Sequence, residues 1–217
     1  MADRFNFIPA VTFIYNSLMS LDPKLPRCQW PGKIESNSLM VEYHDTEWGV
    51  PVHDDRKHFE YLVLDAFQAG LSWSTVLNKR DSFRKAFDNF DPERIARYTR
   101  RKINTLLGNP GIIRNRLKIE STINNARMFM ELQEQEGSFD AFVWQFVDGY
   151  TRHNRWQSLR QLPARTDQSD TMSKALKARG FKFVGSTICY AYMQAAGLVN
   201  DHVTRCFRYE QIRIMQL

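Results

Sequence analysis

Cysteine is scarce in this sequence, and long hydrophobic runs are absent. The three cysteines among 217 residues, Cys28, Cys189 and Cys206, are too few and too scattered for a disulfide framework, so a reducing compartment is expected. No apolar run approaches the length needed to cross a bilayer. The mildly apolar stretch 7–19 is interrupted by polar residues and lacks the basic start and small-residue cleavage site of a signal peptide. These absences predict a cytoplasmic protein without a membrane partner.

Alternating strand patterns and internal repeats are absent too. Apolar residues instead recur at three- and four-residue steps, as in 57–69, which is typical of helices. Helices are expected over 57–69, 92–98, 100–107, 112–132, 171–179 and 186–196, with shorter ones after the suitable N-caps Ser72 and Ser138, whereas 149–170 looks irregular. The sequence therefore predicts an all-α fold, in one domain or one built from two lobes.

Acidic residues do not balance the basic ones. Lys and Arg number 30 against 24 Asp and Glu, which gives a net charge of +6 and a pI of about 9.3. Such a surplus favours a polyanionic partner, because each cation that meets a phosphate releases a counterion. The basic residues are spread over several segments and do not form one tail. This distribution suits a surface that follows a nucleic-acid backbone, and equally a solvated helical exterior.

Two cysteines and two histidines form a possible metal set. His202 and Cys206 stand four residues apart, which places them on one face if the segment is helical, while Cys28 and His44 lie far upstream. Two thiolates and two imidazoles make a closed tetrahedral set suited to structural zinc. The spacings do not match a compact zinc finger, however. From spacing alone, ordinary thiols and histidines are the favoured interpretation.

Aromatic residues crowd the first third of the chain, namely Trp30, Tyr43, Trp48 and Trp73. Aromatic faces stack on extruded nucleobases, and tyrosine hydroxyls can read the edges of those bases. Aromatic side chains are more often core residues, however. Composition alone does not separate these two interpretations.

Asp65 is unusual because it stands between Leu64 and Ala66 in an apolar helix. Burying an unpaired charge is costly, so a carboxylate at this place must find a partner or line a cavity. Alternatively, Asp65 lies on the polar side of the helix beside Lys57 or Glu60. The pattern favours neither reading.

A possible phosphate-binding hairpin follows the breaker around residues 109–111. If the long helix begins at about Ile112, its first turn presents free backbone N–H groups, and Arg114 and Arg116 add positive charge. An ordinary turn between two helices explains the same pattern.

Five segments, in order, resemble the DNA-3-methyladenine glycosylase I family. They are Tyr43-His44-Asp45-x-Glu47-Trp48-Gly49-Val50-Pro51, Gln68-Ala69-Gly70-Leu71-Ser72-Trp73, Gly111-Ile112-Ile113-Arg114-x-Arg116, Gly180-Phe181-Lys182-Phe183-Val184-Gly185 and Gly197-Leu198-Val199-Asn200-Asp201-His202. The resemblance runs from about Cys28 to Cys206. Any one segment could be chance, but five in the right order are highly specific.

The resemblance implies a two-lobed helix-hairpin-helix DNA glycosylase fold with one structural Zn²⁺ per chain. The zinc would join the N- and C-terminal segments through ligands that map onto Cys28, His44, His202 and Cys206. The implied glycosylase domain covers 28–206, with the hairpin near 99–132, an N-terminal extension over 1–27 and a tail over 207–217. The implied DNA-binding residues are Gly70, Leu71, Asn109, Gly111, Ile113, Arg114 and Arg116.

The implied activity is removal of 3-methyladenine from double-stranded DNA by base flipping, with free 3-methyladenine as product and a monomer as the working form. The base pocket maps onto Tyr43, Asp65 and Trp73 as catalytic residues, with Trp30 and Trp48 nearby. N3-methylation makes the base cationic and its glycosidic bond weak, so extrusion, stacking and hydrogen bonding suffice without a strong general base. In keeping with this, no Asp lies between Gly111 and Asp140, where most helix-hairpin-helix glycosylases carry an essential one.

The chain departs from the family at Asp65, where the family usually has Glu, and in a slightly longer spacer between Cys28 and His44. The shorter carboxylate leaves a related alkylpurine glycosylase with shifted specificity as one alternative. A zinc-stabilised DNA-binding protein without turnover is the other. Retention of the aromatic pocket residues argues against the second alternative.

Overall fold

Helices dominate the computed structural model, which describes residues 22–215. The α-helices in this part of the chain are α1 (Ile34–Thr46), α2 (Asp55–Gln68), α3 (Trp73–Leu77), α4 (Arg80–Ala86), α5 (Pro92–Ala96), α6 (Arg100–Gly108), α7 (Arg116–Glu136), α8 (Phe139–Trp144), α9 (Asp167–Ala178), α10 (Ser186–Ala195) and α11 (Phe207–Ile214). Single 3₁₀ turns lie at Asp88–Phe90, Gln145–Val147 and Leu159–Gln161. The predicted all-α class is confirmed, and no helix within 22–215 is long and apolar enough to span a membrane.

Short polar side chains start several of these helices. Ser72, Asp91, Thr99 and Ser138 each accept a hydrogen bond from the backbone N–H three residues later. Each bond satisfies one of the N–H groups that a helix start leaves without an intrahelical partner. All four predicted starts are confirmed.

The predicted start of the long helix is wrong by about four residues. Helix α7 begins at Arg116, and Asn115 is its N-cap. The preceding turn has its own hydrogen bonds: the Gly111 N–H donates to Asn109 Oδ1 at 2.8 Å, and Ile112 is buried in the core. Two asparagines competing for nearby backbone groups shift the start of the helix, as short polar side chains do.

The region predicted to be irregular, 149–170, carries a small amount of regular structure. Strand β1 (Arg152–His153) pairs in parallel with β2 (Val199–Asn200). Helix α9 begins at Asp167, four residues earlier than predicted, because Thr166 and Ser169 form a reciprocal cap. The short strand pair holds Arg152 and His153 beside the segment that follows α10.

Helix α2 lies at the centre of the fold and is buried on every side. Every residue from His58 to Phe67 is buried, and the helix packs against α3, α7, α8 and α10. The predicted apolar face is therefore only part of the buried surface of this helix. Asp65 has no solvent-facing side of α2 available to it.

Both predicted flanking segments contribute contacts. The tail predicted over 207–217 begins with α11, whose Tyr209 and Ile212 are buried, and the Asn200 amide donates to the Tyr209 carbonyl at 3.0 Å. At the other end, the Arg27 guanidinium bonds to Asp45 at 2.7 Å. The rest of the predicted extension, 1–21, lies outside the described residues.

Candidate active site and metal centre

A cavity of about 310 Å³ opens between α1, α2, α3 and α10. Its lining consists of Trp30, Tyr43, Trp48, Asp65, Gln68, Trp73, Leu159, Leu162, Ala191, Gln194 and Ala195. All five side chains singled out from the sequence as pocket residues line this one cavity. The leucines and alanines of the lining carry no chemical signal in the sequence, and the sequence does not show that Gln68 and Gln194 would face the same cavity.

The aromatic rings meet edge to face or tilted, without stacking on one another. The ring centroids of Trp30 and Trp48 are 5.0 Å apart at an interplanar angle of 70°, and those of Tyr43 and Trp73 are 5.1 Å apart at 47°. Edge contacts of this kind are favourable, and each covers only one face of one ring of the pair. The pocket can therefore offer a flat face to a planar guest.

Asp65 lies in the pocket with 3% of its surface exposed. Its Oδ2 atom is buried and makes no hydrogen bond. Burial raises the pKa of this carboxyl well above its usual range, and the positive charge of Arg80 only partly opposes the rise. The alternative that Asp65 lies on a polar face of α2 is therefore wrong.

Two further polar atoms in the pocket lack partners. Trp30 Nε1 and Trp73 Nε1 are buried, and neither has a hydrogen-bond acceptor among residues 22–215. Asp65 Oδ2 likewise has no donor among these residues. Buried polar atoms in folded proteins are nearly always paired. Three orphaned atoms around one cavity indicate that a ligand with its own polar edge completes the site.

A buried ion-pair network lies behind Asp65. The Arg80 guanidinium binds Glu47 through two bonds of 2.8 Å and Glu60 through one of 2.8 Å, and the Tyr61 hydroxyl donates to Glu47 at 3.1 Å. Although burial opposes ionisation, Arg80 lowers the pKa of Glu47 to about 2. Tyr61 stands one helical turn before Asp65, so the network braces the part of α2 that carries the orphaned carboxylate. Sequence reasoning missed it, because Glu47 and Arg80 are 33 residues apart.

The four candidate metal ligands meet in one buried cluster. The ligand atoms of Cys28, His44, His202 and Cys206 all lie within 4.8 Å of one another. The segment that carries the last two ligands is not a helix. His202 lies in the loop after β2, and Cys206 is the N-cap of α11. The loop brings the last two ligands to Cys28, which is 174 residues from His202.

The cluster has the dimensions of a tetrahedral zinc site. Cys206 Sγ is 3.6 Å from His44 Nε2 and 3.5 Å from His202 Nδ1, and Cys28 Sγ is 3.7 Å from His202 Nδ1. Zinc bonds of about 2.3 Å to sulfur and 2.0–2.1 Å to nitrogen, at a tetrahedral angle, separate the two ligand atoms by about 3.5–3.6 Å. The residues present therefore fit a zinc ion.

The outer ring nitrogens of both histidines are held in place. His44 Nδ1 lies 2.7 Å from Asp45, whose carboxylate also binds Arg27. His202 Nε2 lies 3.0 Å from the Trp48 carbonyl, which can only accept. Each imidazole thus donates outward and turns its bare nitrogen into the cluster, the arrangement that metal-binding histidines need. Trp48 belongs to both sites, since its ring lines the pocket.

The two thiols of the cluster differ in acidity. Hydrogen bonding to Cys206 and burial raise the pKa of Cys28, whereas hydrogen bonding to Cys28 and to the two imidazoles lowers the pKa of Cys206. One thiolate is therefore already favoured, and a dication would displace the remaining proton.

The predicted DNA-binding residues occupy two turns. Gly70 and Leu71 form the turn after α2, where Gly70 has φ of +79° and Leu71 is 44% exposed. The others lie in or next to the turn between α6 and α7: Asn109, Gly111, Ile113, Arg114 and Arg116. Arg114 and Arg116 are exposed, whereas Ile113 packs partly against the core.

Lys118 connects these two turns and was missed by sequence reasoning. It lies in the first turn of α7, and its buried ammonium donates to the carbonyls of Phe67 at 2.8 Å and Ala69 at 2.6 Å. A cation at the C-terminus of a helix is favourable, because the last carbonyls lack intrahelical partners. The turn that presents Leu71 is thereby tied to the turn that presents Arg114.

An aromatic cavity with an unpaired carboxylate, next to a separate closed metal cluster in a helical fold, defines a protein that takes up a flat, polar ring. Among nucleic-acid enzymes, those that extrude a base from the duplex use such pockets.

The comparisons narrow this class to one family. A sequence model of the methyladenine glycosylase family matches residues 33–209. DNA-3-methyladenine glycosylase 1 of Escherichia coli is 46% identical over 185 residues, which cover 85% of this chain and 97% of that protein. The chain belongs to the methyladenine glycosylase family, as the ordered motifs predicted.

Solved structures agree with this assignment. A crystal structure of a 3-methyladenine DNA glycosylase I superposes with a TM-score of 0.80 at 52% identity, covering 84% of this chain and 98% of that one. A Tyr-to-Phe variant of such an enzyme, crystallised in complex with 3-methyladenine, also has a TM-score of 0.80, at 32% identity, with 83% and 96% coverage.

Proposed function

We propose that this chain is a monofunctional DNA glycosylase that excises 3-methyladenine from alkylated double-stranded DNA. The observation that carries the proposal is the orphaned Asp65 carboxylate among indole and phenol rings in a cavity about the size of small-ligand pockets. The relatives named above carry this activity in their names. A cationic, planar base matches both the charge and the shape of the cavity.

The chemistry needs little from the protein beyond binding. The flipped base enters the pocket, stacks on Trp73 and contacts Tyr43, and Asp65 accepts a hydrogen bond from it and offsets its positive charge. Water attacks C1′ while the glycosidic bond breaks; the bonding electrons go to the base, which leaves as neutral 3-methyladenine, and the water proton passes to solvent. Since the pKa of Asp65 is raised by burial, a cationic guest also favours ionisation of the carboxyl.

The DNA-facing surface combines the two turns joined by Lys118. Leu71, exposed beside the pocket, fills the place of the extruded base, and the helix-hairpin-helix formed by α6, α7 and their turn binds the phosphate backbone through Arg114 and Arg116. This surface belongs to a two-lobed glycosylase domain, as predicted for 28–206. The remaining expectations are a monomer and a cytoplasmic location.

The metal centre has a structural role in this proposal. Cys28, His44, His202 and Cys206 would hold one Zn²⁺, whose full set of protein ligands leaves no open position for chemistry. The ion would fasten the segment before α1 to the segment between β2 and α11. Its effect on catalysis passes through Trp48, whose carbonyl bonds to His202 and whose ring lines the pocket.

The test is single-turnover release of bases from methylated duplex DNA, with the products separated by chromatography. Release of 3-methyladenine well ahead of other alkylpurines is expected. Comparable release of several alkylpurines would favour the shifted-specificity alternative, since Asp65 replaces a longer carboxylate. DNA binding without base release would overturn the proposal in favour of a binding protein.

A further inference from the structure

Asp201 is the centre of a hydrogen-bond cluster beside the pocket. Its Oδ1 atom accepts from Asn154 at 2.7 Å and from Trp156 Nε1 at 2.8 Å, and its Oδ2 atom accepts from the Tyr190 hydroxyl at 2.5 Å and from Gln194 Nε2 at 2.7 Å. Asp201 itself is 1% exposed. Four donors from two segments of the chain make this carboxylate a rigid anchor.

The anchor determines which way the Gln194 amide points. A carboxylate surrounded by four donors can only accept, so the NH₂ group of Gln194 must face Asp201. The carbonyl oxygen, Oε1, consequently points away from Asp201. Gln194 lines the pocket, is partly exposed, and no donor among the described residues reaches its Oε1. Where it faces the cavity that Gln194 lines, this oxygen is a second acceptor besides Asp65.

The hydrogen-bond donors and acceptors of the pocket suit some purines better than others. Its edge presents the acceptor Asp65 Oδ2 and the donor Trp30 Nε1. Gln194 Oε1 would be a second acceptor, and Trp73 contributes the ring face on which the base stacks. A 6-amino purine carries an exocyclic NH₂ donor, which suits the acceptors of the pocket, and bare ring nitrogens, which can accept from its donor. A 6-oxo purine places an oxygen acceptor where the amino group would lie.

We propose that Gln194 is a specificity-determining residue that accepts an N–H from the 6-amino group of the bound base, with Asp201 as the residue that positions it. This proposal rests on the proposed function. It predicts discrimination between 3-methyladenine and 3-methylguanine, which carry the same methyl group and the same positive charge in DNA. With a 6-oxo base the Gln194 carbonyl meets another acceptor and both remain unpaired, an arrangement that binding sites reject strongly.

The experiment compares release of the two bases from methylated duplex DNA under single-turnover conditions. The variant is Gln194→Met, which keeps the side-chain length but removes the acceptor. Because the base is cationic, losing one hydrogen bond should slow release of 3-methyladenine about tenfold or more. Release of 3-methylguanine should change by less than about threefold, since it gains nothing from Gln194.

The ratio of the two rates is insensitive to misfolding. Both bases leave the same DNA in the same sample, so a smaller folded fraction lowers both rates equally. Gln194→Ala, which removes the acceptor without filling the space, should lower the same ratio. Gln135→Met is the matched control, because it makes the same change at an exposed glutamine of α7 that does not line the pocket, and it should leave the ratio within about twofold.

The outcomes separate the two proposals. If the wild type releases no 3-methyladenine, the proposed function fails. If the wild type releases 3-methyladenine selectively and both Gln194 variants keep the wild-type ratio, the specificity role of Gln194 is wrong. An equal fall of the ratio in Gln135→Met would likewise overturn it, because the effect would then not depend on the acceptor in the pocket.

Discussion

At the scale of single residues, the buried carboxylate of Asp65 affects both stability and function. Asp65 occupies a helix position with no solvent-facing side, and one of its oxygens lacks a partner. Such an arrangement costs stability in the free protein. It is retained where a ligand supplies the missing partner, since functional sites often conflict with stability.

Asp65→Asn should slow excision of 3-methyladenine at least about tenfold, because a neutral amide cannot offset the charge of the base, and hydrogen bonds to charged groups contribute about 1.5–3 kcal/mol. Asp65→Glu is the matched control: it keeps the charge and restores the residue usual in the family, so it should stay active. Single-turnover excision by the three proteins measures both effects. Wild-type rates for Asp65→Asn would remove Asp65 from the mechanism.

Asp65→Asn should also change how the stability of the protein depends on pH. The pKa of Asp65 is raised in the folded state, so the folded state binds this proton more tightly than the unfolded chain. The contribution of Asp65 to stability is therefore complete below about pH 3.9, the unfolded value, and is lost as pH rises towards the folded pKa. The melting temperature of Asp65→Asn, measured from pH 4 to 8, should increasingly exceed that of the wild type as pH rises.

Exposed Glu134 offers a control for this measurement. Glu134→Gln also removes one carboxylate, and its difference from the wild type should stay small across the range. A constant difference between Asp65→Asn and the wild type would contradict the burial argument.

Trp73→Ala tests whether the flipped base stacks on the Trp73 ring. Stacking of a base on an aromatic side chain contributes about 1–3 kcal/mol, so excision should fall roughly five- to 150-fold while the protein stays folded. Tyr150→Ala, at an aromatic residue that is 70% exposed, should excise at the wild-type rate. Unchanged excision by folded Trp73→Ala would make Trp73 a packing residue only.

At the scale of elements, short turns carry the DNA-facing residues, and helices hold the turns. The Gly70–Leu71 turn has no regular structure of its own. Lys118 from α7 holds the end of α2, where this turn begins, through two carbonyls. Burial lowers the pKa of Lys118, although its two carbonyl partners make the charged form useful at this helix end.

Leu71→Ala should slow excision from duplex DNA but leave binding of free 3-methyladenine unchanged, because Leu71 is expected to fill the stack that the base leaves. Unstacking costs a few kcal/mol, so a loss of roughly tenfold is expected. Binding of the free base can be followed through the fluorescence of the pocket tryptophans. Leu39→Ala, at a leucine 38% exposed on α1, serves as the control, and equal losses in both variants would argue against a specific role for Leu71.

At the scale of the whole molecule, the metal cluster joins the two ends of the described chain. Cys28 precedes α1, while His202 and Cys206 follow β2. Gly49 allows the close approach: it has φ of +81°, and a Cβ atom there would lie 3.2 Å from His202 Nε2. An ion in this cluster would therefore couple the chain ends to the wall of the pocket.

The purified protein should contain about one zinc per chain. Cys206→Ser should lose the zinc and unfold at a lower temperature, since a loss of even 2 kcal/mol lowers the melting temperature of a chain of this size by about 4–8 °C. Cys189→Ser is the matched control, because Cys189 is equally buried but lies outside the cluster. Elemental analysis measures the zinc content, and thermal unfolding with and without chelator measures the stability. A zinc-free protein of full stability would refute the site.

Local chemistry was enough to predict much of the chain. The capping residues Ser72, Asp91, Thr99 and Ser138 act on backbone groups only three residues away, so their helices could be predicted from neighbouring residues. The family could be assigned from ordered motifs for a similar reason. Each motif is contiguous, and its residue types can be compared without knowing how the chain folds.

The tertiary structure alone decided what depends on distant neighbours. Asp65 could be placed in the pocket only once α7 and α10 covered the other sides of α2, because burial is a property of packing and not of the helix pattern. The start of α7 moved to Arg116 because Asn109 and Asn115 bind backbone groups within the folded turn. The orientation of Gln194 likewise depends on Asp201, which collects its donors from residues up to 47 positions away.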